Sequence, residues 1–266
     1  MKDICLVINT FSGYSDVWPM FFDSLDKHIP NIKRYVFVDE GEPDKNSTTI
    51  HYNKEDLFRS QFLECIREVP EKYCIFISED YIMNDTPRFD LIQKYRNVLN
   101  ENEYLSFIRF AKGIDFGEPK FKDHRDLYQL SSVLPYFYSQ TAGLWRTRDL
   151  EKIFSHTPDS HIAGQDMSQQ LEILANNTCR ILDMQGLFCY HGEEKRGLYH
   201  HDTIVFPYIA TALVKGKWNV SDYPEELSAL LKEYNINPDI RVLGSDWNKK
   251  PFTGYQLPIP IYFHQR

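Results

Sequence analysis

The sequence predicts an α/β fold: a Rossmann-type, mostly parallel sheet with flanking helices and an irregular C-terminal extension. Three observations predict it. Continuous apolar runs of strand length occur at Ile4–Ile8, Tyr35–Val38 and Tyr73–Ile77, as expected for strands covered on both faces. Segments with apolar residues at helical spacing separate them. That order demands right-handed crossovers, and so a parallel sheet.

Each element has a local reason. The first strand gives way to Asn9-Thr10-Phe11-Ser12-Gly13, a polar, turn-prone stretch. Residues 16–28 then predict a helix, with Trp18, Phe21, Phe22 and Leu25 on one side. The second strand ends at Asp39-Glu40-Gly41. Residues 54–69 predict a helix around Leu57, Phe62, Leu63 and Ile66, and the third strand ends at Ser78-Glu79-Asp80. Pro87 suits a first helical turn, so 87–99 predicts a helix. Beyond it come a strand over 105–110, a hairpin or antiparallel edge over 127–138, and a helix over 147–154. A helix over 165–175, a strand within 180–190 and a helix over 224–234 complete the pattern. Residues 1–205 are expected to form the main domain, with a ligand-binding half to about 110 and a second half over 111–205. Residues 206–266 are expected to be a helical and irregular extension packed on it.

Composition narrows the function classes. The chain has 266 residues, 42% hydrophobic and 26% charged, which suits a globular protein of one elaborated domain. A net charge of −8 argues against a general nucleic-acid binder, which must displace phosphate counterions. Five scattered cysteines, Cys5, Cys65, Cys74, Cys179 and Cys189, without a CxxC pair, read as buried free thiols in a reducing compartment. No apolar run is long enough to span a bilayer and no signal-peptide pattern is present, so the expected location is the cytoplasm, with peripheral membrane contact still allowed.

The chemistry-bearing residues gather where the strands end. In such sheets ligands bind at the carboxyl ends of the strands, and here those ends carry Thr10, Asp39 and Asp80. VINTF, then VFVDE, then Phe58-Arg59-Ser60, then YCIFISEDYI stand in an order that resembles glycosyltransferases of the GT-A fold. The likeness is closest to capsular and cell-surface polysaccharide transferases and covers roughly the first 200 residues. It implies a nucleotide-sugar donor held by Thr10, Asp39, Arg59, Glu79 and Asp80, and a glycan or glycoconjugate acceptor. It further implies Trp145, in Gln140–Arg146, as a wall beside the donor sugar. Asp166, in Gly164-Gln165-Asp166, matches the general base of an inverting transfer, with Glu172 in reserve. His191 matches a residue that completes a metal site with Asp80 for Mn²⁺ or Mg²⁺. Lys195 and Arg196 would neutralise the leaving diphosphate. Against a strict DxD motif, Ser78-Glu79-Asp80-Tyr81 offers two adjacent carboxylates, which point opposite ways if the backbone stays extended. A nucleotidyltransferase, or a non-catalytic carbohydrate- or partner-binding module of the same fold, is the alternative. GxGxxG and GxxxxGK[ST] are both absent, which removes the commonest dinucleotide and P-loop readings.

Overall fold

The computed structural model describes residues 2–113, 119–133, 135–159, 167–196, 200–210, 212–214 and 216–238. The elements run β1 (Ile4–Asn9), α1 (Trp18–His28), β2 (Lys33–Val38), β3 (Thr48–His51), α2 (Phe58–Ile66), β4 (Tyr73–Ser78), β5 (Ile82–Met83) and α3 (Phe89–Glu101). They continue with β6 (Leu105–Arg109), β7 (Leu127–Leu130), β8 (Gly143–Arg146), α4 (Thr147–His156), α5 (Met167–Ile181) and β9 (Gln185–Cys189). Short pieces follow: β10 (Lys195–Arg196), β11 (His200–His201), β12 (Tyr208–Ile209), β13 (Leu213–Val214), β14 (Lys217–Trp218), then α6 (Pro224–Glu233).

Eight strands form one sheet in the order β3-β2-β1-β4-β8-β6-β9-β7. The predicted strand–helix alternation builds the β3-β2-β1-β4 half, whose pairings are all parallel. The other half is mixed. β8 lies antiparallel between β4 and β6, β9 runs parallel to β6, and β7 is the expected antiparallel edge. β3 is an edge strand that its four residues, Thr48-Thr49-Ile50-His51, did not announce, because only Ile50 is buried. The helix that begins at Met167 runs on to Ile181, past the predicted end.

Strand alternation sorts the core onto two faces of the sheet. Ile4, Leu6, Ile8, Ile75 and Ile77 share one cluster with α1, α3 and α6, through side chains such as Phe21, Ile92 and Leu227. Cys5, Val7, Cys74 and Phe76 share the other with α2, α4 and α5, through Phe62, Leu150 and Leu171. All five cysteines are buried and unpaired, and burial pushes the thiols of Cys65, Cys74 and Cys179 up to about 12.

Phe206, Tyr208, Ile209, Trp218 and Tyr223 belong to the first of these clusters. β12 pairs with β5, Tyr208 stacks on Tyr81, and Leu227 and Leu231 are buried in the first cluster. The Tyr234 hydroxyl donates to Asp23 at 2.7 Å. Among the described residues no helix is long and apolar enough to cross a membrane.

Candidate functional site

The chain leaves β1 to one side, for β2 and β3, and returns to its other side for β4. The carboxyl ends of β1 and β4 therefore diverge into a topological switch point, where open α/β sheets hold ligands. Two groups of side chains stand there.

The first is built on the turns after β1 and β2. Asp39 accepts from the Ser12 backbone N–H at 2.6 Å and from the Ser12 hydroxyl at 2.8 Å, which ties the two turns together. Thr10 is buried. Its N–H donates to Phe37, its carbonyl accepts from the Tyr52 hydroxyl at 2.8 Å, and its own hydroxyl accepts from the Trp18 indole at 2.8 Å. Thr10 is thus tied by its backbone and its hydroxyl oxygen to Phe37, Tyr52 and Trp18, while its hydroxyl proton remains a donor. Burial raises the Tyr52 hydroxyl's pKa, and the charges of Asp39 and Glu79 raise it further. Gly41 closes the second turn at φ +88°, a conformation that favours glycine.

The second group centres on the turn after β4. The Tyr81 N–H donates to the Ser78 carbonyl, so Glu79 and Asp80 sit in a tight turn rather than in extended backbone. They still meet different surroundings: Glu79 is buried and Asp80 is half-buried. The Tyr81 hydroxyl donates to the Gln140 carbonyl at 2.6 Å, and its ring stacks on Tyr208 with centroids 4.7 Å apart. Glu172, on α5, accepts from the Gln140 N–H at 2.9 Å. Burial raises the Tyr81 hydroxyl's pKa, with Tyr208, Asp80 and Glu172 adding to the shift. Burial also pushes the Glu172 carboxyl up, opposed by the Gln140 N–H and Arg109. Arg109 ends β6 and donates to the carbonyls of Ala111 (3.1 Å) and Tyr136 (3.0 Å). Tyr136 has φ +62°, a strained conformation for a non-glycine residue. Asp80, Tyr81, Gln140, Glu172, Arg109 and Tyr208 thus form one cluster across the ends of β4, β8 and β6.

Other expected site residues fall elsewhere. Trp145 lies in the middle of β8, 2% exposed, stacked on Phe107 at 4.1 Å. Both its ring and its strand position belong to the core, so it is no wall for a sugar. Arg59 opens α2 at the carboxyl edge, but its guanidinium is held by both oxygens of Asp159. Arg196 is held by Glu226 at 2.8 Å, with Asp202 at 3.8 Å, and lies over the Tyr223 ring. Lys195 is exposed on β10. Asp166 lies outside the described residues.

His191 and Asp80 do not form a ligand pair. Three strand spacings separate β4 from β9, roughly 14 Å at the usual spacing. Both His191 ring nitrogens are engaged, Nε2 by Asp126 (3.4 Å) and Tyr95 (3.2 Å), Nδ1 by Glu193 (3.3 Å). The Glu193 hydrogen bond raises the imidazole's pKa against the effect of burial. Both ring nitrogens are thus engaged by neighbours other than Asp80. Among the described residues, no group of three His, Cys, Asp or Glu side chains could hold a metal ion.

A hollow of about 250 Å³ opens between Arg67, Lys72 and Arg148, at the amino edge of β4, away from this cluster. The convergence of polar groups marks the site. Arg109 and the Tyr81–Tyr208 stack escaped the sequence reading. A charged residue closing the buried run Leu105–Ile108 was the available signal for Arg109. The stack joins residues 127 positions apart (208 − 81), and no local pattern encodes that.

No family model matches the chain, and no curated protein matches it. Solved structures with a similar course of chain do. One is CMP:2-keto-3-deoxy-manno-octonic acid synthetase complexed with CTP, at 12% identity and TM-score 0.44, covering 70% of this chain and 88% of that one. Another is S. aureus TarS 1–349 in complex with UDP, at 12% identity and TM-score 0.45, covering 90% and 67%. A third is 4-diphosphocytidyl-2C-methyl-D-erythritol synthase from Anaerococcus prevotii, at 11% identity and TM-score 0.41, covering 71% and 87%. Similarity at this level leaves the function to the chemistry of the site.

Proposed function

We propose that this protein is a glycosyltransferase, moving a sugar from a nucleotide-sugar donor to a hydroxyl of a glycan or glycoconjugate, with inversion at the anomeric carbon. One observation carries the reading: Glu172 accepts from the Gln140 N–H, the Gln140 carbonyl accepts from the Tyr81 hydroxyl, and Tyr81 directly follows Asp80, so two carboxyl groups stand on one hydrogen-bonded support at the switch-point edge of the sheet. A transfer between two oxygens needs such a pair, one group to orient the donor and one to accept a proton.

In this reading the nucleotide lies across the ends of β1, β2 and β4, against the Ser12 turn that Asp39 fixes, with Glu79 behind it. Asp80 faces the donor sugar. Arg59 stands at the same edge, paired with Asp159. Lys195 takes the role of offsetting the charge of the leaving diphosphate, because Arg196 is already committed to Glu226 and Asp202. A divalent cation bound to the donor would meet Asp80, and no histidine from β9. The acceptor proton goes to a carboxylate of the α5 region: motif order nominates Asp166, and the contacts nominate Glu172.

The nucleotidyltransferase alternative asks for free N–H groups and a cation in the loop after β1, to cradle a triphosphate. Here the Ser12 N–H is spent on Asp39, and Thr10–Gly13 has no basic residue.

The test is a thermal-shift and turnover screen of UDP, GDP, CDP and dTDP sugars, with and without Mn²⁺. The expected result is one nucleotide family that stabilises the protein and releases its nucleoside diphosphate when an acceptor is present. Release of pyrophosphate from a nucleoside triphosphate would move the protein to the nucleotidyltransferases. No shift and no release with any donor would defeat the proposal.

A further inference from the structure

We propose that His191 is a proton-operated latch at the root of the β10–β11 hairpin, closed while its imidazole carries a proton and loosened when the proton leaves. The hairpin is a short ladder: the Asp202 N–H donates to the Glu194 carbonyl at 2.9 Å, Lys195 pairs with His201, and Arg196 pairs with His200. At its root a side chain joins the two legs. Glu193 Oε1 accepts from the Ile204 N–H at 3.3 Å, and Oε2 accepts from the His191 N–H at 2.6 Å. His191 Nδ1 lies 3.3 Å from the same Oε1. One carboxylate thus holds both legs, and one imidazole holds the carboxylate. Lys195, which the glycosyltransferase reading sets against the leaving diphosphate, rides on this hairpin, so the proton on His191 governs how firmly that cation is presented. The latch itself does not rest on that reading.

Other elements also bear on the ring. Asp126, just before β7, has Oδ2 3.4 Å from Nε2, and the Tyr95 hydroxyl of α3 is 3.2 Å from the same nitrogen. Lys94, also on α3, donates to both Asp126 oxygens, at 2.8 and 2.9 Å. Cys189 of β9 is buried, and burial pushes its thiol up, so it stays neutral. With both nitrogens protonated, the ring donates to Glu193 and to Asp126, and two cations, Lys94 and His191, meet two carboxylates. A neutral ring keeps one N–H. If Nδ1 is bare, its lone pair faces Glu193 Oε1. If Nε2 is bare, its lone pair faces Asp126 Oδ2, because the single Tyr95 hydroxyl proton is donated to Asp126 at 2.7 Å. Glu193 then meets either a lone pair or an uncharged donor, and its hold weakens. The Glu193 hydrogen bond raises the His191 pKa, opposed by burial and supported by the charges of Glu193 and Asp126. A raised folded-state value means that the latch is complete below about 6.5 and loosens as pH rises through the folded value. Against burial, hydrogen bonds from the His191 ring and N–H and from the Ile204 N–H keep the Glu193 carboxyl below its usual range, so Glu193 stays charged throughout.

Hydrogen exchange of the full-length chain, followed from pH 6 to pH 8.5 and corrected for the intrinsic rate, tests the latch. The readout is the protection of the Asp202 and Ile204 amides relative to amides of β1 and β4. In the wild type that ratio is expected to fall by more than about threefold across the range, as the root opens locally. It should be flat in His191→Gln, whose side chain does not titrate. Glu193→Gln keeps an acceptor for the Ile204 N–H and should be flat as well. A wild-type ratio that stays constant overturns the proposal, whether nothing changes or all amides lose protection together, since a uniform loss would make the ion pair a contributor to global stability alone. A pH-dependent ratio that persists in His191→Gln overturns it too, by assigning the titration to another group. The wild-type comparison is decisive even where a variant fails to fold, and no outcome depends on a sugar donor.

Discussion

Removing the Asp39 carboxylate should loosen the paired turns after β1 and β2 while leaving the sheet intact. The carboxylate accepts two hydrogen bonds from one residue, the Ser12 N–H at 2.6 Å and the Ser12 hydroxyl at 2.8 Å. Hydrogen bonds to a charged acceptor contribute about 1.5–3 kcal/mol each in buried settings. Asp39 and Ser12 are only half-buried, so the lower end applies and solvent screening reduces it further. For Asp39→Ala we expect a loss of about 2–3 kcal/mol in urea unfolding. At about 2–4 °C per kcal/mol, that corresponds to a Tm lower by roughly 4–12 °C. Asp39→Asn is the informative partner. Its amide oxygen can still accept the Ser12 N–H, and the Ser12 hydroxyl can rotate to accept from the amide nitrogen, so its loss should stay under about 1 kcal/mol. If the Ser12 turn frames the nucleotide, Asp39→Ala should also weaken the nucleotide-induced thermal shift, and Asp39→Asn should largely preserve it. An Asp39→Ala protein within about 0.5 kcal/mol of wild type would refute the reasoning.

Three further outcomes can be measured. Gly186→Ala would bring a Cβ to 2.3 Å from the Phe107 ring, which cannot swing aside because it is stacked on Trp145 and edged by Phe137; a loss of about 3 kcal/mol in denaturant unfolding is expected, and a neutral substitution would contradict the packing. His191 has a raised folded-state pKa, so its contribution to stability is complete below about 6.5 and is lost as pH rises through the folded value. The stability gap between wild type and His191→Asn should therefore narrow from pH 6 to pH 9 in urea titrations; a constant gap would mean the imidazole does not titrate against Glu193. Glu172 also has a raised pKa, and its ionisation costs stability once pH exceeds the ordinary carboxyl value. Calorimetry should then show the Tm advantage of Glu172→Gln growing from pH 4 to pH 8, and an advantage that shrinks would reverse the assigned sign.

How much of this was legible in the sequence depends on the range of the interactions. Ile4–Ile8, Tyr35–Val38 and Tyr73–Ile77 announced three buried strands because burial on both faces requires unbroken apolar runs. The polar residues that end those runs, Asp39, Glu79 and Asp80, stand at one edge of the sheet. Adjacency along the chain was enough, since parallel strands joined by crossover helices all end on one side. Tertiary structure alone decided the rest. The antiparallel insertion of β8 carried Trp145 into the core, where stacking on Phe107 leaves no face for a ligand. Trp18 and Tyr52 reach Thr10 from separate segments and fix its position. Strand order placed His191 three strands from Asp80 and delivered it to Asp126, Tyr95 and Glu193. Glu172 reached Gln140 because α5 packs on the face that carries Phe107 and Trp145. Local pattern determines which residues form a strand, where it stops and which faces are apolar. The order of strands, and hence which distant side chains share a hydrogen bond or a charge, is settled by packing the two faces at once, and no short window of sequence contains that information.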